Sequence, residues 1–320
     1  MDNRRALLAD WLQAETSFQD GEISIASADA SFRRYFRLKH NDKSYIVMDA
    51  PPDLEASLPF VQIGEWMKES GINVPEIHQH NLDLGFMVLS DFGDFHFQDA
   101  LENKDRESLY KRATNEIVNF QSSLLKSEKK LPTFSPEWQV NELDIFREWC
   151  LPDLSDIEYR EITSVLVNAI DQIPKAFMHR DFHCRNILLC NEDKLGVIDF
   201  QGAMFGPVTY DLVSLLRDCY VDNDDEWIVK SVQNFQQNLL SAGLSYAHVE
   251  PEQFLRWFDF AGLQRHLKCV GIFHRLKIRD GKPEYMQDVP RILGYIHQVL
   301  EKHTELESIK QLVEQATILE

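Results

Sequence analysis

Residues 177–200, FMHRDFHCRNILLCNEDKLGVIDF, decide how the rest of the chain is read. The stretch opens on an H-x-D-x-H-x-x-N run, His179, Asp181, His183 and Asn186. An apolar segment follows at 187–190, then a polar turn at 191–194, a second apolar segment at 195–198 and an acid, Asp199. Two short apolar segments about a four-residue polar turn read as a β-hairpin. With Asn191, Glu192, Asp193 and Lys194 as the turn, Cys190 falls opposite Leu195 and Asn186 opposite Asp199. That register brings an amide and a carboxylate together at the open end of the ribbon, with Asp181 on the loop before it.

A carboxylate base beside a paired amide and carboxylate is the set that phosphoryl transfer to an alcohol needs. Asp181 can accept the hydroxyl proton, and Asn186 and Asp199 can hold the magnesium (Mg2+) that neutralises nucleotide phosphates. The run resembles the kinase catalytic loop H-R-D-x-x-x-x-N with its later metal-binding acid. Protein kinases usually carry Lys two positions after the Asp; here that residue is His183. The H-x-D-x-H-x-x-N form is similar to the aminoglycoside phosphotransferase and choline kinase group, kinase-like enzymes that act on small molecules. An H-x-D alone on a surface loop would mean little. The weight lies on Asn186, the hairpin and Asp199 occurring together. The resemblance implies an α+β, bilobal protein-kinase-like fold. A small N-terminal antiparallel-sheet lobe, residues 1–92, would bind ATP. A larger, mainly helical lobe, residues 93–320, would carry catalysis and the acceptor.

Composition sets bounds on this reading. A chain of 320 residues is long enough for one large or two ordinary domains. Its net charge of −19, from 33 basic and 52 acidic residues, argues against nucleic acid or an anionic membrane as the main partner. No apolar segment approaches the length of a membrane span. The first residues, MDNRRALLADWLQ, read as an amphipathic helix and not a signal peptide. The five cysteines are odd in number and without C-x-x-C pairs, which points to free thiols in a reducing cytoplasm. Cys184 lies inside the catalytic loop, where a small space-filling residue is the simplest reading. Nothing in the sequence indicates an oligomeric state.

Along the first lobe, residues 2–18 read as a helix with Leu7, Leu8, Trp11 and Leu12 in one stripe. Strands are expected at 23–26 and 33–38, and in a kinase-like fold this hairpin covers the nucleotide phosphates. There is no G-x-G-x-x-G, but Ala28, Ala30 and Ser31 permit close backbone approach. Ser27, Ser31, Arg33, Arg34 and Arg37 are candidate phosphate donors; solvated arginines on a surface hairpin are the plain alternative. The strand at 44–49 should present a Lys to the phosphates. Instead the chain reads Met48-Asp49-Ala50-Pro51-Pro52, with Lys43 at the wrong end. A helix at 58–69 follows, and Glu55 and Glu65 are candidate ion-pair partners for whichever cation replaces the Lys. The strand at 86–89 leads to the hinge, where backbone groups near Leu89 and Asp91 would read adenine.

Helical patterns dominate afterwards, at 109–125, 141–149, 159–170, 227–240, 251–276 and 291–301, and the charged tail from Glu305 is expected to pack only at the surface. Asp211 begins a buried helix, at the position where kinase-like enzymes use an Asp to brace the catalytic loop. A narrower resemblance rests on DASFRRYFR (29–37), VMDAPP (47–52), SDFGD (90–94), HRDFHCRN, IDFQGAMFGPVTYDLVSLLRD (198–218) and LQRHLKCVGIFHRL (263–276). Together they resemble the bacterial anomeric sugar kinases of cell-wall recycling, which phosphorylate N-acetylmuramate and N-acetylglucosamine at C1. The resemblance covers nearly the whole chain and extends to VMDAPP in place of the strand Lys.

It implies that Asp181 deprotonates the anomeric hydroxyl, that Arg180 orients the loop and that His183 lines the acceptor site. Arg265, His266, Lys268 and Arg275 are candidate cations for the lactyl carboxylate; ion-paired or solvated helix faces are the alternative for each. Two rival readings stand beside this one. A cationic acceptor, an aminoglycoside or choline, would suit the acidic surface. A nucleotide-binding pseudokinase would suit the missing Lys, though it has no need of Asp181, Asn186 and Asp199 together.

Overall fold

The computed structural model describes residues 3–28, 32–124, 131–190 and 194–318. In chain order the first elements are α1 (Asn3–Glu15), β1 (Glu22–Ala28), β2 (Arg34–His40), β3 (Lys43–Asp49), α2 (Leu58–Glu69), β4 (Ile77–Asn81) and β5 (Phe86–Ser90). Then come α3 (Phe97–Asn103), α4 (Arg106–Leu124), α5 (Pro136–Cys150), α6 (Asp156–Asp171), β6 (Lys175–Met178), β7 (Ile187–Leu189), β8 (Leu195–Val197) and β9 (Met204–Pro207). Helices α7 (Tyr210–Leu216), α8 (Asp225–Ser241), α9 (Pro251–Ile278), α10 (Val289–Lys302) and α11 (Glu307–Ile318) complete the chain. The fold class is α+β. Two compact units are present: residues 1–100 with 186–202, and residues 101–185 with 203–320.

The first unit is built on an antiparallel sheet in the order β1-β2-β3-β5-β4. Leu8, Trp11 and Leu12 share one face of α1, as their i, i+3, i+4 spacing requires. They pack on Phe36, Leu38, Val47, Phe86 and Val88 of the sheet. Helix α2 buries Phe60, Ile63, Gly64 and Met67. It stops at Gly71, whose φ of +81° lets the Ile72 N–H return to the Met67 carbonyl. The hairpin β7–β8 belongs to this unit although it follows the helices in sequence. Its outer backbone groups bond to Phe95 and Asn73, and Phe200 just beyond it stacks on Phe60 with ring centroids 4.8 Å apart.

The hairpin register differs by one residue from the sequence expectation. Ile187 pairs with Val197 and Leu189 with Leu195, and beyond them the Cys190 N–H donates to the Lys194 carbonyl. Asn191, Glu192 and Asp193 lie outside the described residues.

The second unit is arranged around α9, whose 28 residues are buried on nearly every side. Helix α5 crosses it closely: a Cβ on Gly271 would stand 2.6 Å from the Phe146 backbone N. Strands β6 and β9 form a two-stranded antiparallel ribbon beneath the loop that begins at His179. The tail is not the surface segment its charge suggested. Ile309, Leu312 and Val313 of α11 are buried, and Asp259 of α9 holds Lys302 and His303 just ahead of them. The apolar residues at 306, 309, 312, 313 and 316 keep a helical period through the charges. Among the described residues no helix is long and apolar enough to cross a membrane.

Candidate active site

In the first unit, Asn186 and Asp199 meet at the open end of the hairpin. Asn186 sits opposite Ile198, whose N–H donates to the Asn186 carbonyl at 3.1 Å. In a regular strand this would turn the next side chain, Asp199, to the other face. Asp199 instead adopts φ +64°, uncommon for a residue with a Cβ. The left-handed backbone breaks the alternation, and the Asp199 carboxylate returns to accept from Asn186 Nδ2 at 3.3 Å. Gln201 Nε2 donates to the other carboxylate oxygen at 2.6 Å. An amide oxygen and a carboxylate are hard ligands. Such a pair fits a magnesium ion that keeps water and phosphate for its remaining positions. Among the described residues no group of three or more His, Cys, Asp or Glu is placed to hold a metal.

The arginines singled out for phosphate are ion-paired. Asp49, which the sequence puts where a Lys was expected, is fully buried and binds both Arg34 and Arg4. Arg34 pairs with Asp49 across β2 and β3, two positions from Phe36 and Val47 and so on the same face as they are. It therefore points to the α1 side of the sheet. Arg33 is separate, with its guanidinium 2.9 Å from Glu55. Arg37 binds Asp91 at 2.8 Å and Asp94 at 2.7 Å. Burial pushes the Asp91 carboxyl up, but hydrogen bonds from Ser44 and Arg37 outweigh it and hold it below the usual range. Leu89 is buried on β5 opposite Ile46. Ser27 lies in β1 opposite Tyr35, and Ser31 falls outside the described residues.

The second unit holds Asp181 at a cavity of about 430 Å³. The loop that carries it is fixed from below. Asp211, buried at the start of α7, accepts the N–H groups of His179 and Arg180. Asp218 accepts those of Cys184 and Tyr220, each at 2.8 Å. Arg180, like Asp199, is left-handed despite its side chain, with φ +78°. Cys184 is buried inside this loop.

The cavity wall comes from α5, the loop, the turn after α7 and α9. Trp138, Glu142, Arg180, His183, Tyr220, Arg265, Lys268 and Phe273 all contribute. Asp181, its side chain 40% exposed, accepts from Arg265 Nη1 at 3.2 Å. Burial raises the Asp181 carboxyl, but Lys268, Arg265, His183 and Arg180 overcome it and hold it well below the usual carboxylate range. Glu142 receives Arg180 Nη2 at 2.5 Å, Gln264 Nε2 at 3.1 Å and Trp138 Nε1 at 3.3 Å. Its burial penalty is likewise exceeded, by Lys268 and Arg180, and it too lies below its ordinary value. Burial holds His183 below its ordinary value, and its ring meets Tyr220 edge-on at 5.4 Å.

Five sequence candidates thus share one wall: Arg180, Asp181, His183, Arg265 and Lys268. His266 is elsewhere. It is buried against Tyr295 with Nε2 on the Arg217 carbonyl at 2.9 Å, because its place on α9 turns it away from the cavity. Burial pushes its pKa down to about 3. Trp138 and Glu142 went unread in the sequence. Their i, i+4 spacing marks a shared helix face, yet only tertiary packing brings that face to Asp181.

The family model described as "Phosphotransferase enzyme family" matches residues 22–244. The chain is 35% identical to an N-acetylmuramate/N-acetylglucosamine kinase of Neisseria meningitidis serogroup B, with 97% of this chain and 95% of the relative covered. It is 34% identical to a protein of the same name from Pseudomonas putida, over 98% of this chain and 96% of the relative. Among solved structures, choline kinase LicA from Streptococcus pneumoniae superposes with a TM-score of 0.66 at 12% identity, covering 92% of this chain and 99% of that one. A Plasmodium vivax ethanolamine kinase gives 0.65 at 11%, over 91% and 86%. At such identities the likeness is one of fold, and the fold is the kinase-like one of these enzymes. By the family match and by its full-length relatives, the chain belongs to the phosphotransferase enzyme family.

Proposed function

We propose that this chain is an ATP-dependent kinase that phosphorylates the anomeric C1 hydroxyl of N-acetylmuramate and N-acetylglucosamine. The names of its full-length relatives support the substrates. One observation carries the reading on this chain: Asp181 borders a cavity whose two carboxylates, Asp181 and Glu142, are both countered by cations. Such a wall suits a neutral or anionic acceptor. It gives little purchase to the positive charge of choline or an aminoglycoside.

In this account Asp181 orients the C1 hydroxyl and takes its proton while the γ-phosphoryl group leaves ADP and joins the sugar oxygen. Its neighbours keep it ionised and only weakly basic. That suits a loose transition state, in which positioning supplies most of the acceleration. Asn186 and Asp199 would hold a magnesium ion, which when bound would neutralise phosphate charge. Asp211 holds the loop in shape, and Arg180 and His183 line the acceptor side. Residues 1–92 act as the nucleotide lobe and residues 93–320 as the catalytic and acceptor lobe, with adenine read by backbone near Leu89 and Asp91. Arg33, buttressed by Glu55, stands as the cation nearest in kind to the missing strand Lys. The enzyme works in the cytoplasm, returning cell-wall amino sugars to metabolism.

The test is ADP release with a panel of acceptors. N-Acetylmuramate and N-acetylglucosamine should turn over at least about 100-fold better, in kcat/KM, than choline or an aminoglycoside. Preference for a cationic acceptor would contradict the reading.

A further inference from the structure

We infer that Lys268 reads the carboxylate of the acceptor, and so sets the preference between an acidic amino sugar and its neutral counterpart. The inference rests on the function proposed above.

The other candidate cations are bonded to other groups or lie off the cavity. Arg265 donates to Asp181 and to the Arg180 carbonyl. His266 bonds to the Arg217 carbonyl, and Arg275 is not among the residues that line the cavity. Arg180 is clamped between Glu142 and the ring of Trp138, 5.6 Å away.

Lys268 lines the cavity and is only 5% exposed. Its ammonium group has three N–H donors. Among the described residues it makes one hydrogen bond, to Tyr210 Oη at 3.1 Å, and stands 3.5 Å from Glu142 Oε2 as an ion pair. Glu142 is bonded by Arg180, Gln264 and Trp138 without it.

The charges agree. Arg180, Arg265 and Lys268 face Glu142 and Asp181, which leaves one positive charge over on the wall of a chain whose net charge is −19. A buried cation with unspent donors is costly unless an anion meets it. An acceptor bearing one carboxylate makes the count even. Burial lowers the Lys268 pKa, but Glu142 and Tyr210 more than offset this, so the group is held above its ordinary value and carries its charge at neutral pH.

The test compares N-acetylmuramate, its methyl ester and N-acetylglucosamine as acceptors for the wild-type enzyme and for Lys268→Met. In the wild type, esterification should cut kcat/KM about tenfold or more, chiefly through KM. In Lys268→Met the acid and its ester should behave alike, and the ratio of N-acetylmuramate to N-acetylglucosamine should fall about tenfold. Lys268→Arg should recover part of that ratio. A merely structural role would depress all three acceptors together and leave the ratios as they are; that result overturns the inference and spares the proposed function. A wild-type enzyme that phosphorylates none of the three overturns both. Should Lys268→Met fail to fold, Lys268→Gln and Lys268→Arg carry the same ratios.

Discussion

The carboxylate of Asp211 accepts hydrogen bonds from two successive backbone N–H groups, His179 at 2.7 Å and Arg180 at 3.0 Å, and so pins a residue whose φ is +78° immediately before Asp181. The two bonds lower the Asp211 pKa, but burial dominates and pushes it up to about 7. A raised acid pKa means that the folded state holds this proton more tightly than the unfolded one. Its contribution to stability is therefore complete below pH 3.8 and is lost as pH rises through about 7. Asp211→Asn keeps the shape but can satisfy only one of the two donors. It should cost about 1–3 kcal/mol at pH 5, and less at pH 8, where the wild-type carboxylate carries its own burial penalty. Denaturant unfolding at the two pH values checks this, and kcat should fall alongside.

Arg265 is the hydrogen-bonded charge partner of Asp181. With the Asp181 pKa held far down, the acid limb of kcat/KM above about pH 5 should not arise from this carboxyl. Arg265→Met removes one of the groups that hold it down, so any acid limb due to Asp181 should move to higher pH than in the wild type. Asp181→Asn gives the contrasting profile, a loss of about 100- to 10,000-fold at every pH. A pH–rate series on the three proteins separates the two effects.

How far the site was legible follows from what is local. Asp181, Asn186 and Asp199 lie within nineteen consecutive residues, and spacing alone suggested that they act together. Spacing places the hairpin register only to within one residue, because neither the strand ends nor a left-handed Asp199 has a signature in the composition. Sequence offers Arg34 as a candidate phosphate donor but does not show its strand pairing, and its partner Asp49 lies fifteen residues away. Glu142 lies 38 residues from Arg180 and 122 from Gln264, so only packing reveals it. The dense polar set on α9 was noticed, but its sorting into cavity wall and core depends on helix rotation: Arg265 and Lys268 face the cavity, and His266, between them in sequence, does not.

Gly271 marks where α5 and α9 come together. An alanine Cβ there would meet the backbone of Ile145 and Phe146 at 2.6–2.7 Å, and no flexible side chain can yield. Gly271→Ala should destabilise by about 1–3 kcal/mol. Because both helices line the cavity, it should also raise KM for the acceptor more than KM for ATP. Unfolding and two-substrate kinetics on one preparation test both parts.

Asp259 ties α9 to Arg217, just after α7, and to Lys302 and His303 at the end of α10. Burial raises its pKa, but these partners outweigh it and hold the group down at about 2. A depressed acid pKa contributes stability that is present above pH 3.8 and lost as pH falls through about 2. Asp259→Asn should therefore cost about 2 kcal/mol at neutral pH, with the difference from wild type shrinking toward pH 2. Parallel acid-unfolding curves give the comparison.

Phosphorus NMR of the reaction with ATP, magnesium and N-acetylmuramate shows whether phosphate is transferred to C1 of the amino sugar. A new phosphomonoester signal split by coupling to the anomeric proton is expected. A product coupled instead to a C6 methylene would contradict it, as would ATP left intact with this sugar and with N-acetylglucosamine.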